Sequence, residues 1–200
     1  MSTTQAEQVL ELVRRKGIVR AREVTERGFH HEYLRRLCDE GLLVRVARGV
    51  YVPADKDLGE YQTLAEAARR VPKGIICLLS ALRFHEIGTQ SPHQVWMAID
   101  RKAALPKVQR LPLRFVRFSG PALSEGVGEY DVEGVSIRVY RPAKTVADCF
   151  KYRNKIGLDV ALEALRDCRR QNKATVDELW EYARICRVAS VMRPYMEAIG

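Results

Sequence analysis

Residues 18–53 read IVRAREVTERGFHHEYLRRLCDEGLLVRVARGVYVP, and the placement of apolar, glycine and basic positions within them decides the expected fold. Gly28 has no Cβ and can take the positive φ with which a chain leaves one helix and turns sharply into the next. A second helix is expected from Phe29, with Leu34 and Leu37 on one face and Tyr33 beside Leu37 at i,i+4. His31, Glu32, Arg35, Arg36 and Asp39 are left on the other face. Gly41 closes that helix, and the stretch from Leu42 to Ala47 alternates as a half-buried strand. Arg48-Gly49 then turns the chain into Val50-Tyr51-Val52, which Pro53 stops. Ahead of these elements Thr4 and Glu7 have capping-box spacing, and Val9, Leu10, Leu12 and Val13 carry a helix as far as Gly17. The order helix, helix, helix, strand, strand is that of a winged helix-turn-helix, with the basic ribbon as its wing.

Such a motif has double-stranded DNA as its natural partner, and the charge agrees. The chain has 34 Lys plus Arg against 25 Asp plus Glu, a net charge of +9. The excess is spread evenly, because residues 1–53, 54–148 and 149–200 each carry a net +3. Charge therefore permits a polyanion without localising it, and the motif must do so. The N-terminal turn of the second helix is expected to enter the major groove, with His30, His31, Tyr33 and Arg35 facing base edges. Arg35 or Arg36 suits a guanine O6/N7 edge, whereas Arg20, Arg22, Arg45 and Arg48 suit phosphates and fix register. Tyr33 fits the core as well as it fits a contact, and Arg36 fits a pairing with Glu32, Asp39 or Glu40 on a solvated face.

Two hundred residues with 46% apolar content are enough for two domains, expected at 1–53 and 54–200. No run approaches the roughly 18 apolar residues of a membrane span, and the N-terminus has no apolar signal core, so no membrane partner and a cytoplasmic location are expected. Five widely spaced cysteines in apolar patterns read as free buried thiols. Beyond a link at 54–59, a helix is expected over 61–70, with Asp57 and Glu60 at capping-box spacing. The apolar run IICLLSALRFHEIG at 75–88 reads as one buried helix closed by Gly88. Residues 96–99, 111–118 and 135–140 are rich in β-branched and aromatic types and predict a small mixed sheet of three or four strands. Helical spacing returns from Pro142 to Asn154, from Asp159, and from a capping box at Thr175 and Glu178; the chain ends near Pro194, which starts or kinks a last helix. The expected class is α+β, an N-terminal winged helix-turn-helix followed by a domain with a small mixed sheet and several helices.

Four segments in order are similar to one family: LCDEGLLVRVARGVYV at 37–52, LLSAL at 78–82, SPHQVWMAI at 91–99, and RPAKTVADCFKYRNKIGLDVALEALR at 141–166. They resemble the AbiEi family of antitoxins across nearly the whole chain. The resemblance implies an antitoxin of a type IV toxin-antitoxin pair, whose N-terminal winged helix represses its own operon from an inverted-repeat operator by cooperative self-association. It implies a C-terminal domain that counters a nucleotidyltransferase-like toxin, the two acting without a stable complex. Arg141, Lys144, Lys151 and Arg153 lie in the segment most distinctive of the family and are the expected antitoxicity surface, although Thr145, Val146 and Phe150 there also suit plain helix packing. A second basic series, Arg101, Lys102, Lys107, Arg110, Arg114 and Arg117, is interleaved with Leu113, Phe115 and Phe118 and suits either a nucleic-acid surface or a solvated strand.

The alternative is a nucleic-acid-processing enzyme, a nuclease or nucleotidyltransferase, targeted by the winged helix. Two-metal chemistry needs paired carboxylates, and a nucleotidyltransferase also a Gly-Ser loop. Neither pattern occurs, and Asp131-Val132-Glu133, in an apparent turn, lacks a following lysine. His30, His31, His85 and His93 have no zinc spacing, Ser80 has no glycine elbow, and no glycine-rich phosphate loop is present. No catalytic residue, metal or cofactor is expected.

Overall fold

Helix α1 (Gln5–Lys16) starts where Thr4 and Glu7 place it. The Thr4 N–H donates to Glu7 Oε2 at 2.8 Å and the Glu7 N–H to Thr4 Oγ1 at 3.3 Å, so two otherwise orphaned donors are satisfied reciprocally. The computed structural model describes residues 4–16, 19–47, 49–54, 58–106, 108, 111–132 and 134–198. It is of mixed α and β class and divides into two units, Met1–Ala65 with Tyr130–Ser136, and Glu66–Glu129 with Ile137–Gly200.

In the first unit α1 buries Val9, Leu12 and Val13 and packs on the helix and strand that follow from the Gly28 region. Strand β1 (Val19–Arg20) leads into α2 (Ala21–Thr25), and Gly28, at φ +83°, turns the chain while its N–H donates to Thr25 O. Helix α3 spans Glu32–Asp39, three residues later than expected, because Phe29 is spent packing on the core around Val24 and Leu34. Leu34 and Leu37 are its buried residues. Strands β2 (Leu43–Ala47) and β3 (Val50–Pro53) form the antiparallel ribbon, with Arg45 opposite Tyr51 and a bulge between Arg45 and Ala47. Strand β1, two residues long and absent from the sequence reading, pairs on the other side of β3, giving the order β1-β3-β2.

Helix α4 (Leu58–Arg70) begins three residues before the expected Tyr61, and Asp57, half of its expected cap, lies outside the described residues. The apolar run that follows is not one helix. Its first residues form β4 (Ile75–Ile76), and only after Cys77 does α5 (Leu78–Phe84) begin. Sheet contacts explain the split: Ile75 and Ile76 lie opposite Ala98 and Met97 of β5 (Val95–Asp100), and Ile76 opposite Val139 of a later strand. Strand β6 (Leu113–Phe118) runs parallel to β5, α6 (Pro121–Ser124) is a single turn, and β7 (Val127–Val132) adjoins β8 (Val135–Tyr140). The order is β6-β5-β4-β8-β7, with β4 antiparallel to β5 and parallel to β8. Asp131, read as a turn residue, ends in β7 and accepts the Gly134 N–H at 2.9 Å.

Five helices follow among the described residues: α7 (Pro142–Lys151), α8 (Arg153–Ile156), α9 (Leu158–Arg170), α10 (Val176–Ile185) and α11 (Ala189–Glu197), which contains Pro194. The Thr175–Glu178 box caps α10 as its spacing requires. Helix α7 packs against α5, α9, α10 and α11, and every residue from Ala143 to Phe150 is buried. That overturns the expectation that Lys144 contributes to a surface. It is 0% exposed, its Nζ 2.5 Å from Asp148 Oδ2 one helical turn on and 3.9 Å from the centre of the Tyr140 ring. The Cys186 thiol donates to the other Asp148 oxygen at 3.3 Å. Burial raises the Asp148 carboxyl above its ordinary range, against the opposing pull of Lys144. Gly126 makes room for this pair, since a Cβ there would stand 2.7 Å from Lys144 Cβ and 2.9 Å from the Tyr182 ring.

His85 ends α5, fully inside, with its Nε2–H donating to Tyr140 O at 2.7 Å; that carbonyl also accepts from Thr145 Oγ1 at 3.1 Å. Ser80 is structural too, accepting the Trp96 N–H at 2.9 Å. All five cysteines are free thiols, four buried and Cys38 half-buried.

Removing one member of the buried ion pair leaves an uncompensated charge inside the protein, so Lys144→Met is expected to lower stability by about 3–5 kcal/mol, and Lys144→Met with Asp148→Leu by distinctly less. Urea unfolding of the three proteins measures both. Burial lowers His85 from 6.5 to about 4, so between those pH values the unfolded chain takes up a proton that the folded one refuses. Stability contributed by neutral His85 is thus complete above pH 6.5 and is lost as pH falls towards 4. The raised Asp148 acts with the opposite sign but is common to wild type and His85→Gln, so the stability difference between those two should shift against the wild type across this window.

Candidate nucleic-acid interface

Helix α3 presents its polar side as an amphipathic pattern dictates. With Leu34 and Leu37 turned inward, Arg35 and Arg36 project outward, their side chains 83% and 66% exposed. Each has an acid one turn along the same helix. Arg36 Nε donates to Glu40 Oε1 at 2.8 Å, which raises the already high guanidinium pKa, and Arg35 Nε lies 3.9 Å from Asp39 Oδ2. Exposed pairs at this spacing are weak and salt-screened, so the acids orient the arginines without holding them against a competing anion.

His30 and His31 precede the helix and do not lie on it. Both are exposed, their rings 4.6 Å apart, with His30 Nδ1 accepting the Glu32 N–H at 3.3 Å. Tyr33 is half-buried against the core of this unit, closer to the packing role than to a contact. Arg22 is exposed on α2, and Arg45 is exposed on β2. Arg20 is half-buried, with its guanidinium 4.8 Å over the ring of Tyr130. Arg48 lies outside the described residues. The sequence reading missed Tyr130. It lies nearly eighty residues beyond the ribbon, and nothing in the local spacing signals that 130–136 belong with the N-terminal unit.

The expected antitoxicity residues behave less uniformly. Arg141 and Lys151 are exposed at opposite ends of α7, Lys144 is internal, and Arg153 is half-buried and donates to Phe150 O at 2.9 Å. In the second basic series, Arg114 stacks on Trp96 at 4.2 Å, and Arg117 Nη1 donates to the carbonyls of Asp100, Arg101 and Ala103. Lys107 and Arg110 lie outside the described residues. Among the described residues no group of three or more His, Cys, Asp or Glu is placed to hold a metal, and no helix is long and apolar enough to cross a membrane.

Residues 7–54 match the model of a family described as transcriptional regulator, AbiEi antitoxin. The matched residues run from α1 to the end of β3 and include the first of the four segments that carry the resemblance; the other three lie beyond them. No curated protein matches the chain significantly. Among solved structures, that of the RV2827C protein from Mycobacterium tuberculosis is similar over 96% of this chain and 77% of the other, with a TM-score of 0.50 and 14% identity, a likeness of fold alone.

Because Arg35 and Arg36 touch only exposed acids, replacing both with alanine should leave the thermal midpoint and the far-ultraviolet spectrum unchanged. Leu34→Ala, by contrast, should cost about 2–5 kcal/mol, measured by denaturant unfolding.

Proposed function

We propose that residues 1–53 form a winged helix-turn-helix that binds double-stranded DNA, and that the chain is the autorepressing antitoxin of a type IV toxin-antitoxin pair. The observation that carries this reading is the match of a regulator and antitoxin family to residues 7–54, the span that includes the outward arginines of α3. The helix enters the major groove, and Arg35 and Arg36 exchange a weak intrahelical carboxylate for a guanine edge or a phosphate. Such an exchange costs little, since a solvated ion pair is given up for a charge-assisted hydrogen bond. The ribbon is the wing, where Arg45 and Arg48 reach the backbone, while Arg20 and Arg22 fix register.

One such module buries too little surface for tight, specific binding, so two copies meet cooperatively on an inverted repeat. Residues 54–200 form the antitoxin domain, which opposes a nucleotidyltransferase-like toxin without a stable complex. The protein works in the cytoplasm, without catalysis or a cofactor of its own.

A gel-shift assay with the DNA upstream of its own gene tests the regulator. The wild type is expected to give a specific shift, and Arg35→Ala with Arg36→Ala to lose it while remaining folded. With about six phosphates neutralised, log K should fall against log salt with a slope near about −5. Equal binding by the two proteins would overturn the assignment of α3. Rescue of growth against the neighbouring toxin gene should survive the same double replacement, which separates antitoxicity from repression.

A further inference from the structure

A groove of about 670 Å³ in the second unit is ringed by Arg101, Arg117, Lys151, Arg184 and Arg187, with Ser119 beside them. No carboxylate lines it. The five cations come from the turn after β5, from β6, from the last residue of α7, from α10 and from the turn after α10. Elsewhere the exposed arginines 35, 36, 70 and 170 each pair with an acid three or four residues away. None of the five groove cations makes an ion pair with an acid of the described residues. Like charges drawn onto one concave surface repel each other, and an anion seated among them relieves that repulsion.

One of the cations is held in place by backbone. Arg117 Nη1 donates at 2.8 Å to the carbonyls of both Arg101 and Ala103, which ties down the turn that carries Arg101. Arg187 sits at φ +59°, just past the end of α10, a position where glycine relieves strain. An arginine there forgoes that relief and adds a second guanidinium beside Arg184.

We propose that this groove binds a terminal oligophosphate, the three linked phosphates of a nucleoside triphosphate or of the 5′ end of an RNA. Phosphate chemistry follows from five donors of a single sign without an opposing acid. The compact form follows from cations that converge from separate elements on a cavity of small-ligand size, whereas an extended backbone would need them strung along a path. Phe118 at the floor is almost wholly buried and offers no open ring, so the base is not gripped by stacking. None of the residues used lies in 1–53, and the inference stands or falls independently of DNA binding.

Titration calorimetry on the full chain, at about 150 mM salt to screen diffuse attraction, tests it with four probes. They are tripolyphosphate, ATP, a short single-stranded RNA with a 5′-triphosphate, and the same RNA with a 5′-hydroxyl. Tripolyphosphate is expected to bind at one site per chain, and the triphosphorylated RNA more tightly than its hydroxyl twin. Whichever of ATP and triphosphorylated RNA binds tighter identifies the source. Arg184→Gln with Arg187→Gln should weaken tripolyphosphate by about tenfold or more. If that pair fails to fold, Lys151→Gln, at an exposed helix end, should weaken it in the same direction. Absence of tripolyphosphate binding, equal binding of the two RNAs with ATP no tighter than either, or affinity untouched by these replacements would overturn the proposal.

Discussion

A lysine and an aspartate facing each other across one turn of a helix buried from Ala143 to Phe150 impose more on this protein than any other contact. Moving either charge out of water costs several kcal/mol, and mutual attraction offsets that only if the remaining polar atoms are also satisfied. The surroundings of α7 meet that demand. Tyr140 offers its ring face to Lys144, Cys186 donates to Asp148, and Gly126 gives up a side chain so that the turn into β7 can pass close to Lys144 and Tyr182. Sheet, α10 and the end of α7 are thereby fixed around one point, which is why β8 and the helices after it form a single core.

The legible parts of the fold were those in which a local pattern coincides with the interaction that stabilises it. The capping boxes at Thr4–Glu7 and Thr175–Glu178, the ribbon around Gly49 and the strand at 135–140 are of that kind. The misreadings of the sheet have one origin, long-range pairing. Ile75 and Ile76 have the composition of the helix that follows them, and only the neighbours β5 and β8 make them a strand. Residues 127–132 carry no strand expectation because Gly128, Glu129 and Asp131 dilute their β character, yet β8 pairs them. The sequence points Lys144 outward because lysine is almost never fully buried without a partner, and no single-residue signal distinguishes the partnered case. In the candidate interface, Arg35 and Arg36 were legible from helical spacing, whereas Tyr130 was beyond the reach of any local pattern.

The two basic features of the chain differ in kind. On α3 every arginine has an acid of its own, so the surface is close to neutral until a stronger anion competes. In the groove of the second unit the cations lack such partners, and the field is present beforehand. The first arrangement favours discrimination, because binding must displace something. The second favours capture, because nothing has to leave.

The cysteines lead to a last point. Burial pushes the thiols of Cys77 and Cys149 far up and those of Cys168 and Cys186 up to about 12, so almost none of their thiolate, the form that reacts with peroxides or alkylating agents, exists near neutrality. Cys38 is raised as well, but it alone of the five keeps access to solvent. It sits on α3, between Leu37 and Asp39. A maleimide dye added to the native protein therefore reports from that helix without any engineered attachment point, and the four buried thiols stay unlabelled.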